Sequence, residues 1–186
     1  AFEVARRGII RTFQNIRLFA TLTVLENILV TMHMTCGYSL ADTFARTTGF
    51  ERGEEKFRAE ALRLLKIFNL DNLHDHEAGS LPYGVQRKIE IVCALAGKPK
   101  LMLLDEPAAG MNHAETGELM GLIEKIRRDF NMAVLLIEHD MKLVMGICER
   151  IVVLDHGQCI AEGRPEAIQK NPKVVEAYLG VEDTSA

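Results

Sequence analysis

The sequence predicts an α/β fold, a mainly parallel sheet with flanking helices beside a helical subdomain. Three observations point there. Short continuous apolar runs, LMLL at 101–104 and AVLLI at 133–137, have the length and composition of strands covered on both faces. Helical periodicity alternates with them, giving helix 84–96, strand 100–104, helix 113–129, strand 132–137, a short helix near 140–148 and strand 150–154. The residues before about 80 show no such alternation and read as mainly helical.

In chain order, the first twenty residues, around RTFQN, read as a strand end followed by a loop. In TLTVLENILVTMHM, Thr23 and Glu26 form a capping pattern, and Val24, Leu25, Ile28 and Leu29 share one face of a helix. CGYSLADTFARTTGFERG is broken by Gly and Thr and predicts one short irregular helix. EEKFRAEALRLLKIFNL is strongly amphipathic, with Phe57, Ala61, Leu64, Leu65 and Phe68 on one side. DNLHDHEAGSLPYG is turn-rich. After the alternating region, IVVLDHGQCIAEG reads as a hairpin turning at His156-Gly157, and RPEAIQKNPKVVEAYLG as two short helical pieces. The expected divisions are a segment 1–21, a helical subdomain 22–80, an α/β lobe 81–171 and a tail 172–186.

Composition bounds the function. Of 186 residues, 48% are hydrophobic and 26% charged, which is globular rather than disordered. The net charge of -4 supplies no basic footprint, so nucleic acid is not expected as a partner. Cys36, Cys93, Cys148 and Cys159 show no C-x-x-C spacing and read as thiols of a reducing compartment. The start, AFEVARRGIIRTF, has no apolar core of a signal peptide, and no apolar run reaches membrane-spanning length. The expectation is a cytoplasmic chain.

The chemistry concentrates at strand ends. LMLLDEPAAGMN closes an apolar run with Asp105 and Glu106. The C-terminal end of a strand is where open α/β sheets bind ligands, and phosphoryl transfer needs one acid for Mg²⁺ and another to polarise an attacking water. The plainer reading is an acid pair at a helix entry. IEHD, 137–140, ends a second apolar strand and places His139 as a ligand for a terminal phosphate or its attacking water; alone, such a His is an ordinary loop residue. In SLPYGVQRKIEI, Gly84 precedes an amphipathic helix whose first N–H groups can face an anion. Gln14 in RTFQN is a candidate Mg²⁺ ligand or phosphate sensor only in that context. The HDHE cluster, His74 to Glu77, matches no zinc spacing and reads as a solvated loop. Most of the methionines (32, 34, 102, 111, 120, 132, 141 and 145) fall at core-facing positions.

Together and in this order, these pieces resemble the nucleotide-binding subunit of an ABC transporter. RTFQN is similar to the Q-loop, LPYGVQRK to the signature motif, LMLLDEP to Walker B with the catalytic Glu, AAGMN to the D-loop and LLIEHD to the H-loop. RTFQNIRLF, DEPAAGMN, LLIEHDMKLVMG and the tail NPKVVEAYLG are most similar to subunits of branched-chain amino-acid importers. The resemblance implies an ATPase with a P-loop NTPase fold, working as a dimer with a second ATPase subunit. It implies ATP and Mg²⁺ as cofactors, Glu106 and His139 as catalytic groups, and Gln14 and Asp105 on the metal. Tyr83, Gly84 and Gln86 map onto the half offered to the second subunit, and Asn112 onto the D-loop. The helical subdomain would meet a membrane permease, placing the chain peripherally on the inner face of the plasma membrane.

Three departures from the family pattern stand out. No G-x-x-x-x-G-K-[ST] occurs: Gly79 and Gly84 are followed by Val85-Gln86, and Gly97-Lys98 by Pro99. In the family the P-loop precedes the Q-loop, so the expectation is an incomplete ABC ATPase fold, a C-terminal portion inactive alone, with strand edges left unpaired. Pro82 and Val85 replace polar residues of the signature, and Pro82 has neither hydroxyl nor N–H for a phosphate. Asn112 stands where Asp is common and can still cap the next helix with Glu115. A soluble ABC-type ATPase and a non-catalytic assembly module are the alternatives.

Overall fold

The computed structural model describes residues 2–33 and 48–179. Contacts group the chain into two compact units, 1–137 and 138–186. The expected divisions at 22 and 80 fall inside the first unit and that at 171 inside the second.

The first unit contains α1 (Phe2–Arg6), β1 (Ile9–Arg11), α2 (Val24–Met32), α3 (Thr48–Ile67), α4 (Tyr83–Ala96), β2 (Leu101–Asp105), α5 (His113–Asp129) and β3 (Ala133–Ile137). The three strands form one parallel sheet in the order β1-β2-β3. Ile9 lies opposite Leu101, and Asp105 opposite Ile137, so Asp105 and Ile137 end β2 and β3 at the same edge.

β2 is central, and its sequence shows why. Met102 and Leu104 are 0% and 1% exposed, and Leu101 and Leu103 are partly buried on the other face. The expectation of a sheet covered on both faces holds for β2 and fails for β3, where Leu135 and Ile137 are more than half exposed. An apolar composition marks AVLLI as a strand without showing which face is covered. The sheet is also narrower than expected. The strand at 150–154 does not join it, and among the described residues β3 has β2 as its single strand partner. At the start, the five-residue α1 precedes β1, where the sequence suggested a strand end; one turn is too short to show a period.

The helical segment packs as the periodicity requires. Val24, Leu25, Ile28 and Met32 of α2, Ala61, Leu64 and Leu65 of α3, and Ile89, Val92 and Leu95 of α4 are buried together with Phe68. Each fully buried large aliphatic side chain contributes about 2 kcal/mol relative to exposure. α2 starts at the expected capping box: Thr23 Oγ1 accepts from Glu26 N–H, and Glu26 accepts from Thr23 N–H at 2.8 Å. The irregular helix expected within 36–53 lies outside the described residues as far as 47, and 48–53 belong to the 20-residue α3.

The second unit contains α6 (Met141–Ile147), β4 (Ile151–Asp155), β5 (Gln158–Gly163), α7 (Pro165–Gln169) and α8 (Pro172–Leu179). β4 and β5 pair antiparallel, joined by the two-residue turn His156-Gly157. Both turn residues have positive φ (45° and 78°), the twist that two-residue hairpins require. Ile151, Val153, Ala161, Ile168 and Val174 form the core of this unit. The two tail helices both begin with proline, which suits a first helical position.

Candidate functional site

The acid pair sits at the C-terminal end of the central strand. Asp105 is the last residue of β2, and Glu106 turns the chain out of the sheet with φ of 43°. Left-handed backbone is uncommon for a residue with a Cβ, and Pro107 further disfavours a right-handed helical alternative. Backbone hydrogen bonds help to hold this turn. Glu106 N–H donates to the Ile137 carbonyl of β3 at 2.9 Å, and Ala109 N–H donates back to the Glu106 carbonyl at 3.1 Å. The strand end therefore fixes the direction in which the Glu106 side chain leaves.

That side chain meets the loop following β1. Gln14 Nε2 donates to Glu106 Oε2 at 2.8 Å across 92 residues of sequence. Asp105 is held by a residue the sequence reading passed over: Arg11, at the end of β1, places Nη2 at 2.7 Å from Asp105 Oδ2. Arg11 and Arg17 both lie over the Phe13 ring, at 5.4 and 4.2 Å from its centroid. Gln14, Asp105 and Glu106 thus converge at one sheet edge, with a guanidinium against the carboxylate expected to carry a cation.

The stretch resembling the signature forms the start of α4. Pro82 precedes the helix and makes no side-chain cap bond. Tyr83 is 45% exposed and lies against the loop after Glu106: a Cβ at Gly110 would come within 3.3 Å of Tyr83 Cε1. Gly110 has φ of 77° in a turn closed by Met111 N–H to the Ala108 carbonyl, a position that favours glycine. A Cβ at Gly84 would lie 3.2 Å from Glu115 Oε1, so the two helix starts pack closely there. Gln86 turns back on its own helix start, donating from Nε2 to the Leu81 carbonyl at 2.7 Å. Asn112 caps α5 as its sequence suggests. Its Oδ1 accepts from Ala114 and Glu115 N–H at 2.9 and 3.0 Å, and Glu115 returns a bond to Asn112 N–H at 2.9 Å.

His139 belongs to the second unit. Its ring is largely exposed, 3.9 Å from the buried carboxylate of Glu138, and Asp140 beside it caps α6 through Lys142 and Leu143 N–H. In the HDHE loop, His74 bonds the Asp71 carbonyl at 2.7 Å, and among the described residues no group of three or more His, Cys, Asp or Glu is placed to hold a metal.

Among the described residues, the buried polar residues Thr12, Asn27, Arg87 and Glu90 were not singled out from sequence, and Asn27 and Arg87 reach the loop after β1. Asn27 of α2 is 3% exposed, accepts from Phe19 N–H at 2.8 Å and donates to the Phe19 carbonyl at 3.1 Å. Arg87 of α4 is fully buried and bonds the Phe13 and Gln14 carbonyls at 2.7 and 2.6 Å. Local pattern marks neither, because their partners Phe19, Phe13 and Gln14 lie in a loop that the sequence cannot place.

The donor set suits Mg²⁺. The Gln14 carboxamide and the Asp105 carboxylate are hard oxygen ligands, and magnesium commonly takes one or two carboxylates while waters and substrate phosphates fill the rest. Asp105 Oδ2 already carries one cationic partner, the Arg11 guanidinium at 2.7 Å.

A parallel sheet presenting this edge, beside a helical segment joined to it through α4, is consistent with an ABC-type ATPase domain, and comparison with known proteins assigns that class. A family model for ABC transporters matches residues 2–109, and one for branched-chain amino acid ATP-binding cassette transporters matches 158–184. The chain is 45% identical to the high-affinity branched-chain amino acid transport ATP-binding protein BraF of Pseudomonas aeruginosa, spanning 96% of this chain and 70% of that protein. It is 44% identical, with the same coverage, to the corresponding LivG of Escherichia coli K12. Among solved structures, the ADP conformation of MJ1267, an ATP-binding cassette of an ABC transporter, superposes with a TM-score of 0.75 at 30% identity, over 97% of this chain and 71% of that one. The chain belongs to the ABC transporter family, with the ATP-binding proteins that include BraF and LivG.

Proposed function

We propose that this chain works as the ATP-binding subunit of an importer for branched-chain amino acids, coupling ATP hydrolysis to transport. The observation that carries the reading is the convergence of Gln14 and Glu106, 2.8 Å apart, beside Asp105 at the end of the central strand. The names of BraF and LivG support the substrate class.

In this reading Glu106 positions and deprotonates the attacking water, a service worth about a hundredfold or more in rate. Its left-handed backbone and the Ile137 bond keep the carboxylate aimed without help from a flexible loop. Asp105 and the Gln14 carboxamide oxygen would hold Mg²⁺, which would supply neutralisation of charge on the phosphates. Asp105 would then exchange Arg11 for the metal, and the Gln14 carboxamide would present its oxygen in place of its N–H. The family resemblance gives His139, in the second unit, the role of bonding the terminal phosphate or the water. Tyr83, Gly84 and Gln86 form the face presented to a second ATPase subunit, with Asn112 holding the adjoining helix start. Because Gln86 is spent on Leu81 and Pro82 has no donor, that face offers a phosphate mainly backbone N–H groups of α4.

The helical residues 22–80 would contact the permease, placing the subunit on the cytoplasmic face of the membrane. No helix among the described residues is long and apolar enough to cross a membrane. The test is ATP turnover by Glu106→Gln in a polypeptide that carries a P-loop ahead of residue 1. Turnover should fall at least a hundredfold with ATP binding retained. Normal turnover would remove Glu106 from the chemistry.

A further inference from the structure

Arg87 lies in the second turn of α4 with its side chain fully buried. Burying a guanidinium is costly unless acceptors surround it, and an apolar side chain of similar volume often serves stability equally well. Here Nη1 donates to the Phe13 carbonyl and to Glu90 Oε2, both at 2.7 Å. Nη2 donates to the Gln14 carbonyl at 2.6 Å and to the Tyr83 hydroxyl at 3.2 Å. Glu90 Oε1 accepts from Arg17 N–H at 3.4 Å. Nε is buried without a partner, so the side chain is placed for its two terminal nitrogens at the expense of the third.

The geometry does something that core packing would not need. Two successive carbonyls, Phe13 and Gln14, are gripped by one planar fork, and together they set the two peptide planes flanking the Gln14 Cα. That fixes the direction in which the Gln14 side chain leaves the loop, toward Glu106. The same Nη2 reaches Tyr83, whose ring rests against the loop that follows Glu106.

We propose that Arg87 is the positioning residue for Gln14. It aims the carboxamide at Glu106 and ties that aim to the first turn of α4, so a shift of Tyr83 is transmitted to Gln14 through one guanidinium. The proposal rests on the reading of Gln14 and Glu106 as site residues.

The experiment is NMR on the 186-residue chain, following the Gln14 side-chain amide and hydrogen exchange of residues 13–17. Glu106→Gln in the otherwise wild-type chain tests the underlying reading, because it must shift the Gln14 carboxamide signals. Tyr83→Phe removes the hydroxyl that Arg87 Nη2 reaches, and should shift the same signals. Arg87→Gln with Glu90→Gln removes the buried pair together. It should move the Gln14 carboxamide to the position of an exposed glutamine and raise exchange over 13–17 about tenfold or more, the worth of a lost charge-assisted hydrogen bond. Protection at Ile91, Met102 and Leu104 should stay. Arg87→Lys should restore part of the loop protection and not the carboxamide position, since an ammonium cannot hold two carbonyls in one plane.

Gln14 signals unchanged in Tyr83→Phe and in the double variant would overturn the proposal. So would protection lost evenly over the first unit, which would make Arg87 a core residue only. Signals indifferent to Glu106→Gln, with exchange at 13–17 still dependent on Arg87, would instead remove the Gln14–Glu106 reading.

Discussion

The left-handed backbone at Glu106 makes a measurable difference between two substitutions that both delete the carboxylate. With φ of 43°, Glu106 occupies a region that costs a residue with a Cβ about 1–2 kcal/mol. Glycine escapes this cost but gains about 0.4–1 kcal/mol of freedom in the unfolded chain, which works against it. The balance leaves Glu106→Gly more stable than Glu106→Ala by about 0.5–1 kcal/mol. At ordinary positions the sign is reversed, with glycine the less stable of the two. The bond to Gln14 is lost in both variants and cancels, as do effects on the partner loop. The chain has no Trp and three Tyr, so far-UV circular dichroism is the suitable probe for urea unfolding. Glu106→Ala equal to or more stable than Glu106→Gly would show that the turn relaxes, and that the strand end does not hold Glu106 in a strained, directed conformation.

Three further outcomes follow from the geometry. Asn112→Ala removes the acceptor for Ala114 and Glu115 N–H, and should cost about 1 kcal/mol in the same urea assay, with Asn112→Asp close to wild type. Arg11→Gln takes the competing cation from Asp105, and should raise Mn²⁺ affinity measured by electron paramagnetic resonance by several-fold, whereas Asp105→Asn should abolish that binding. Burial of the Cys93 thiol, helped by the nearby Glu90 carboxylate, pushes its pKa from 9.0 up to about 12. Below 9.0 the thiol is protonated in both folded and unfolded chains; above it the unfolded chain releases a proton that the fold retains. Stability should therefore fall from about pH 9 toward 12, and less steeply in Cys93→Ala, as read by urea midpoints across that range.

Much of the fold is visible in the sequence because it is written in local periodicity. α4, β2, α5 and β3 lie within a residue or two of their expected bounds, and the capping residues Thr23 and Asn112 act where their spacing places them. The acid pair is legible for the same reason, since carboxylates ending an apolar strand have few structural explanations. What escaped depends on register and on tertiary contacts. Arg11 meets Asp105 only because β1 pairs with β2, 94 residues away along the chain. No local pattern marks Arg87, because its acceptors come from the loop after β1. Gln86 looks available for a ligand and is instead bonded to Leu81. Leu135 and Ile137 look buried, because composition does not distinguish a strand covered on both faces from one covered on a single face.

Central to this function is that Gln14 and Asp105 hold one cation beside Glu106. Paramagnetic broadening by Mn²⁺ added with ATP addresses this most directly, residue by residue, in the NMR spectrum of a polypeptide that carries a P-loop ahead of residue 1. Selective loss of the Gln14, Asp105 and Glu106 signals, reversed by excess Mg²⁺, is the predicted result. Broadening centred instead on His74 to Glu77, or on none of these residues, would contradict it.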